Sequence, residues 1–339
     1  MRLEKYLTDC RLCPRECGVD RRQKTGICGV GYLPKVSNIV LHKGEEPPIS
    51  GKDGAGAVFF SGCPMKCVYC QNMGFSQRGV GREIELDELI HAFKVLEQEG
   101  AYTLDLVTPT PHLPWIVEAL EKLEKESFSL PVVYNTSSYE KVETLRRLEG
   151  LVDIYLADIR YTDSGYGLMY SKVPDYWESA KKAIFEMYRQ VGPYREDMRK
   201  GLIIRILVLP NNVSGHERAL EFVAYQLDPS VPVSLMSQYL PHFGAKRDPL
   251  IGRKITVDEY EKALEKMLEL EIPIMVYENK ECTAEILAMS LILSNLVISR
   301  NGSKPLILPP ALYARNFDPN LNVWSPGFIG DPHHGIFYE

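Results

Sequence analysis

The stretch S-G-C-P-M-K-C-V-Y-C-Q-N at 61–72 constrains this chain more than any other part of it. Cys63, Cys67 and Cys70 stand in a C-x3-C-x2-C spacing directly after the apolar run at 57–60, so three thiols converge where a strand is expected to end. A [4Fe-4S] cluster normally takes four cysteine thiolates. A three-cysteine loop would therefore leave one iron with an open position for a substrate or cofactor. The alternatives are a zinc knuckle, which usually wants a fourth ligand, or three reduced cysteines in a core.

Of the eight cysteines, seven fall within the first 70 residues and only Cys282 stands apart. Cys10, Cys13, Cys17 and Cys28 form a C-x2-C-x3-C-x10-C set with Pro14, Gly18, Gly26 and Gly29 turning the chain between them. Four thiolates at short spacing predict a small metal-stapled segment that needs no large core of its own. Structural zinc and a [4Fe-4S] cluster both accept such a set. No apolar run reaches the length of a membrane span and no signal peptide precedes the first cysteine, which points to a cytoplasmic protein whose cysteines bind metal. A formal charge of -6 argues against a nucleic-acid binder.

The 339 residues suffice for one large domain with appendages. Residues 31–56, rich in Gly and Pro, read as an extended connector. Short runs at 57–62, 103–108, 131–136, 153–160, 202–210 and 232–239 have the character of buried parallel strands. Between them lie helical patterns at 86–100, 113–126, 139–148, 175–191 and 215–227, followed by a helix at 256–270, a run at 272–277 and an apolar helix at 283–298. The alternation predicts an α/β fold, a partial TIM-type (β/α)6 barrel with its active face at the strand-to-helix loops. Three parts follow: 1–50 with the four cysteines and connector, 51–280 as the barrel, and 281–339 as a C-terminal helix and an aromatic, Pro-rich cover.

C-x3-C-x-aromatic-C, with Tyr69 as the aromatic residue, resembles the signature of the radical S-adenosylmethionine (radical SAM) superfamily. G-E-E-P-P-I-S-G, V-T-P-T-P-H, Y-N-T-S-S-Y-E, Y-L-A-D-I-R-Y and L-M-S-Q-Y further resemble a subgroup related to pyruvate formate-lyase activating enzyme, with an N-terminal cysteine cluster. The resemblance implies that the open iron is chelated by the amino and carboxylate groups of SAM. It also implies reductive cleavage of SAM to a 5'-deoxyadenosyl radical that abstracts hydrogen, with a reducing partner such as flavodoxin or ferredoxin. The substrate could then be a glycyl radical enzyme, another peptide or a small metabolite, with the N-terminal cysteines as an auxiliary cluster. A non-catalytic iron-sulfur carrier is the reading outside enzymology.

Carried onto this chain, the resemblance places Tyr69 beside the adenine. Where the superfamily has a G-G-E type segment, this chain has Thr108-Pro109-Thr110-Pro111-His112, so the hydroxyls of Thr108 and Thr110 would receive the ammonium. His112 is either a proton or substrate contact or a structural residue. Asn135 and Ser137 suit the ribose or carboxylate, and Ser137 or Ser138 could equally cap a helix. Asp158 and Arg160 share one side of a strand and would form an ion pair or grip SAM. Arg160 stands where glycyl-radical activating enzymes carry lysine. Arg205, amid Ile203, Ile204, Ile206 and Leu207, is a SAM contact or a buried salt bridge. Met236, Gln238 and Tyr239 would wall the adenine side.

Overall fold

A computed structural model describes residues 3–276 of the chain. Among the described residues nine strands form one sheet: β1 (Lys35–His42), β2 (Ala55–Phe60), β3 (Arg82–Glu83), β4 (Leu104–Val107), β5 (Val132–Thr136), β6 (Ile154–Ile159), β7 (Gly201–Leu207), β8 (Val233–Met236) and β9 (Ile274–Val276). Their order is β3-β1-β2-β4-β5-β6-β7-β8-β9. From β2 through β9 each neighbouring pair is parallel. Among the described residues no pairing joins β9 back to the first edge, so the barrel is partial and open, as the alternation of strands and helices predicts.

The segment 31–56 departs from the expected connector. It supplies β1, which pairs antiparallel with β2 from Val36↔Phe60 to His42↔Ala55, and its far edge carries β3. It also supplies the short helix Pro47–Ser50. Ile49 is fully buried with Ala55, Val133, Ile154, Leu156 and Ile203, which places it in an apolar group at the N-terminal ends of the strands. The helical stretch expected at 139–148 shrinks to Val142–Leu145, and a helix not foreseen, Ser164–Ser171, starts at an Asp163 cap whose carboxylate accepts from the Gly165 and Tyr166 amides. The expected run at 272–277 contains β9, which pairs parallel with β8.

The outer helices follow from apolar spacing. Leu86–Gln98 buries Leu89, Ile90, Phe93 and Leu96, a 3.6-residue stripe. Val257–Glu269 begins at a reciprocal cap between Thr256 and Glu259. These stripes meet the outward faces of the strands in one large core that contains Phe60, Leu106, Tyr134, Tyr155, Ile204 and Leu235. The alternate residues of the same strands point inward, and there the pattern turns polar: Asp105 on β4, Asn135 on β5, Asp158 on β6, Arg205 on β7 and Ser234 on β8. Cys282, the apolar helix at 283–298 and the aromatic segment after it lie outside the described residues.

Candidate active site

The loop after β2 opens with Gly62 at φ 87, a left-handed turn that brings the chain against the N-terminal segment. A Cβ there would sit 2.4 Å from Val30 Cγ2 and 2.8 Å from the Cys28 carbonyl oxygen. Cys63, Cys67 and Cys70 then follow, and all three line a cavity of about 200 Å³ at the C-terminal end of the sheet. The Ser171 hydroxyl donates to Cys67 Sγ at 3.0 Å, and the Cys70 thiol and Ser76 hydroxyl lie 3.2 Å apart. Gln77 Nε2 anchors the loop through the Cys67 carbonyl at 2.7 Å. Burial, with Cys67 close by, pushes the Cys63 thiol up to about 12, and burial raises Cys70 as well.

Each of the residues expected to contact SAM reaches the same cavity. Tyr69 lines it, with its ring edge-on to Tyr161 and Tyr239 at 6.3 and 5.7 Å. Thr108 and Thr110 line it after β4, although the Thr110 hydroxyl is already donated to Glu140 at 2.6 Å. Asn135 and Ser137 line it after β5, with Asp158, Arg160 and Arg205 from β6 and β7 and Gln238 after β8. Asp158 and Arg160 form the expected ion pair at 2.6 Å, and both line the cavity. Arg205 likewise is both a cavity residue and the centre of a salt-bridge network. Its Nε donates to Asp158 at 2.7 Å, its Nη1 to Glu45 at 3.1 Å and its Nη2 to Asn135 at 2.7 Å.

Other expectations resolve differently. His112 is fully buried away from the cavity: its Nε2 lies 2.7 Å from the Ser61 carbonyl, its Nδ1 accepts from the Lys35 amide, and its ring stacks on Phe60 at 4.9 Å. Burial drops its pKa to about 3, so it is a neutral brace for the cysteine loop. Neither Ser137 nor Ser138 caps a helix. The next one, Val142–Leu145, has Lys141 at its N-cap, and the Ser138 hydroxyl is buried without a partner.

Glu45 is the cavity residue that sequence reasoning passed over as chemistry. It belongs to G-E-E-P-P, which marked only a resemblance, and its partner Arg205 lies 160 residues away. Glu46 beside it is fully buried, 3.5 Å from Arg205, and burial pushes its carboxyl up to about 7.

Cys10, Cys13, Cys17 and Cys28 form a separate group under the cysteine loop. The position of a Cβ on Gly26 lies 3.4 Å from both the Cys17 and Cys28 sulfurs. Arg15 ties this group to the first, donating to the carbonyls of Pro64 at 3.0 Å and Ser171 at 3.1 Å. Among the described residues no three His, Cys, Asp or Glu side chains stand close enough to hold one metal ion.

A model of the radical SAM superfamily matches residues 57–223. An uncharacterized protein of Methanocaldococcus jannaschii is 32% identical over 268 residues, covering 76% of this chain and 73% of that one. The chain belongs to the radical SAM superfamily. Radical SAM proteins work with a [4Fe-4S] cluster and SAM. Among solved structures, a domain of pyruvate-formate lyase-activating enzyme from Bacteroides vulgatus is 16% identical, covering 50% of this chain and 92% of that one, with a TM-score of 0.37. SuiB of Streptococcus suis bound to S-adenosylmethionine is 13% identical, covering 63% and 47%, with a TM-score of 0.43.

The residues present fit these cofactors. The cavity is lined by three thiols from one loop and by Arg160 and Gln238, each of which also keeps a buried polar atom, Nε and Oε1, without a hydrogen-bond partner. Buried polar atoms are left unpaired at a cost of about 1–3 kcal/mol each unless a ligand completes them. Among the described residues no helix is long and apolar enough to cross a membrane.

Proposed function

We propose that this protein is a radical SAM enzyme in which Cys63, Cys67 and Cys70 hold the [4Fe-4S] cluster and the cavity beside them holds SAM for hydrogen abstraction from a substrate. What carries this reading is the meeting, around one cavity, of three thiols from one loop with Arg160, Asp158, Asn135 and Gln238 from the ends of the parallel strands. When bound, the cluster supplies the electron that cleaves SAM to methionine and a 5'-deoxyadenosyl radical.

The chain's own residues bind, orient and exclude water. Arg160 Nε has a free N–H to donate, and its ion pair with Asp158 holds the guanidinium in place. Gln238 Oε1 offers an acceptor on the β8 side, and the Thr108 hydroxyl is the site's substitute for an acidic contact after β4. Phe59, Val107, Met236 and Tyr239 close the walls with apolar surface. Tyr69 stays neutral, its phenol raised well above the usual range by burial.

A protein reductant such as flavodoxin or ferredoxin would supply the electron. Cys10, Cys13, Cys17 and Cys28 would hold an auxiliary cluster, a reading supported by the meeting of the Cys17 and Cys28 sulfurs at Gly26 and by the packing of Cys28 against Gly62 of the cysteine loop. If the substrate is a glycyl radical enzyme, a glycyl EPR signal will appear on that partner. Anaerobic reconstitution with iron and sulfide should give reductant-dependent 5'-deoxyadenosine, and Cys67→Ala should give none. Wild-type product levels from Cys67→Ala would overturn the assignment.

A further inference from the structure

We propose that Ser171 and Ser76 donate hydrogen bonds to the sulfurs of Cys67 and Cys70 and so set the reduction potential of the cluster those cysteines hold, with Tyr161 fixing the direction of the Ser171 bond. The inference rests on the radical SAM reading of the site and adds to it the positioning residues that govern electron uptake.

The first argument is direction. The Ser171 hydroxyl lies 3.0 Å from Cys67 Sγ and 2.9 Å from the Tyr161 hydroxyl. A sulfur bound to iron is a thiolate and has no proton to give, so Ser171 must be the donor. Its one proton is then committed, and the Ser171 oxygen receives from Tyr161. The Cys70 and Ser76 pair at 3.2 Å is settled in the same way, with Ser76 donating.

The second argument is burial. Ser171 and Tyr161 are fully buried and Ser76 nearly so, which keeps water from taking over these bonds. In such surroundings a hydrogen bond is stronger than in water, and linked hydroxyls polarise one another.

Position supplies the third argument. Residues 170–172 are clamped beside the cysteine loop. The Tyr170 carbonyl accepts from the Val68 amide at 2.8 Å, while Arg15 donates to the Ser171 carbonyl at 3.1 Å and to the Lys172 carbonyl at 2.5 Å. Ser171, the last residue of the helix Ser164–Ser171, is therefore held facing Cys67.

The consequence is electrostatic. When one electron passes from the reductant to the cluster no bond forms or breaks, and part of the added negative charge falls on the thiolate sulfurs. Donors aimed at those sulfurs favour the reduced state and raise the potential. A hydroxyl on two of the three ligand sulfurs brings the cluster within reach of a weaker reductant.

The test is a potentiometric titration of the full-length, anaerobically reconstituted protein, followed by EPR. The signal followed is the one that SAM alters in a separate sample, which distinguishes this cluster from one on the N-terminal cysteines. Ser171→Ala should keep the wild-type iron content and lower the reduction equilibrium constant about tenfold, a midpoint about 59 mV more negative for one electron. Ser76→Ala should move it the same way. Tyr161→Phe should move it less, since Ser171 keeps its proton but loses the group that orients it. Ser171→Thr, which restores a hydroxyl, should bring the midpoint back toward wild type. Ser179→Ala, which removes a hydroxyl that donates to Asp175 instead, should leave it in place.

An unchanged or raised midpoint in iron-replete Ser171→Ala would overturn the proposal, as would an equal shift in Ser179→Ala. If Ser171→Ala takes up no iron, Ser76→Ala and Tyr161→Phe decide, and wild-type midpoints in both sink the idea. A wild type without any SAM-responsive cluster removes the radical SAM reading itself, whereas a SAM-responsive cluster whose midpoint ignores these hydroxyls removes this inference alone.

Discussion

Arg205 shows how much one side chain can carry inside this barrel. Its guanidinium is 14% exposed and holds together carboxylates from β6 and from the segment before β2. Truncation to Ala would leave Glu45, Glu46 and Asp158 facing one another without it. Arg205→Ala should therefore lose about 3–5 kcal/mol in anaerobic denaturant unfolding. Arg205→Lys should recover only part of the loss, because a single ammonium cannot reproduce three directed contacts. The charge amid Ile203, Ile204 and Ile206 was legible in the sequence, but Glu45 as its partner was not. Nothing local ties an acid in a Gly/Pro-rich stretch to an arginine so far along the chain. Glu140 gives a pH signature of its own. Burial pushes its carboxyl from 4.5 to about 7, while the Thr110 and Thr136 hydroxyls each donate to it at 2.6 Å. Between pH 4.5 and 7 the folded state therefore binds a proton that the unfolded state has released, and stability falls as pH rises through that window. The loss approaches an order of 3 kcal/mol above pH 7. Glu140→Gln should flatten this part of the profile in thermal melts taken from pH 4 to 8, and an unchanged slope would show that another group sets it.

At the scale of elements, the parallel strands were readable because a strand buried on both faces reads as a short continuous apolar run. β4, β5, β6 and β8 fall within the runs at 103–108, 131–136, 153–160 and 232–239, and β2 and β7 overlap those at 57–62 and 202–210 but start before them. β1 was hidden for the complementary reason. K-V-S-N-I-V-L-H packs one face on the sheet and leaves Leu41 partly exposed on the other, so its pattern is neither a solid run nor a clean alternation. The π-helical turn Val223–Leu227 that continues His216–Phe222 has no periodic signal to betray it. The joint between the cysteine loop and the N-terminal segment depends on Gly62. With φ at 87 and space closed by Val30 and Cys28, Gly62→Ala must push the two segments apart. It should cost about 1–3 kcal/mol in unfolding experiments. It should also lower the iron retained after reconstitution, since the displaced loop carries Cys63, whereas Gly74→Ala, which meets open space, should leave both unchanged.

Across the whole molecule the two cysteine groups form one assembly. Arg15 bridges them through Pro64 and Ser171, and Ser171 in turn donates to Cys67. The Thr144 hydroxyl donates to the Leu12 carbonyl at 2.8 Å, fastening the N-terminal segment to the barrel a second time. Sequence spacing marks out both sets of cysteines, but their contact comes from the docking of a segment too small to hold a core alone. This arrangement sets a test of how the metal is shared. With two [4Fe-4S] clusters, the reconstituted wild type should contain about eight irons per chain. Cys13→Ala and Cys67→Ala should each retain about four, yet differ in chemistry: Cys67→Ala should make no 5'-deoxyadenosine, while Cys13→Ala should still cleave SAM with a strong artificial reductant. A protein reductant would separate the roles further. If the N-terminal group relays electrons, Cys13→Ala should be slow with flavodoxin and near normal with the artificial donor. Equal rates with both donors would make that group a structural staple, and a full iron complement in Cys13→Ala would remove the second cluster altogether.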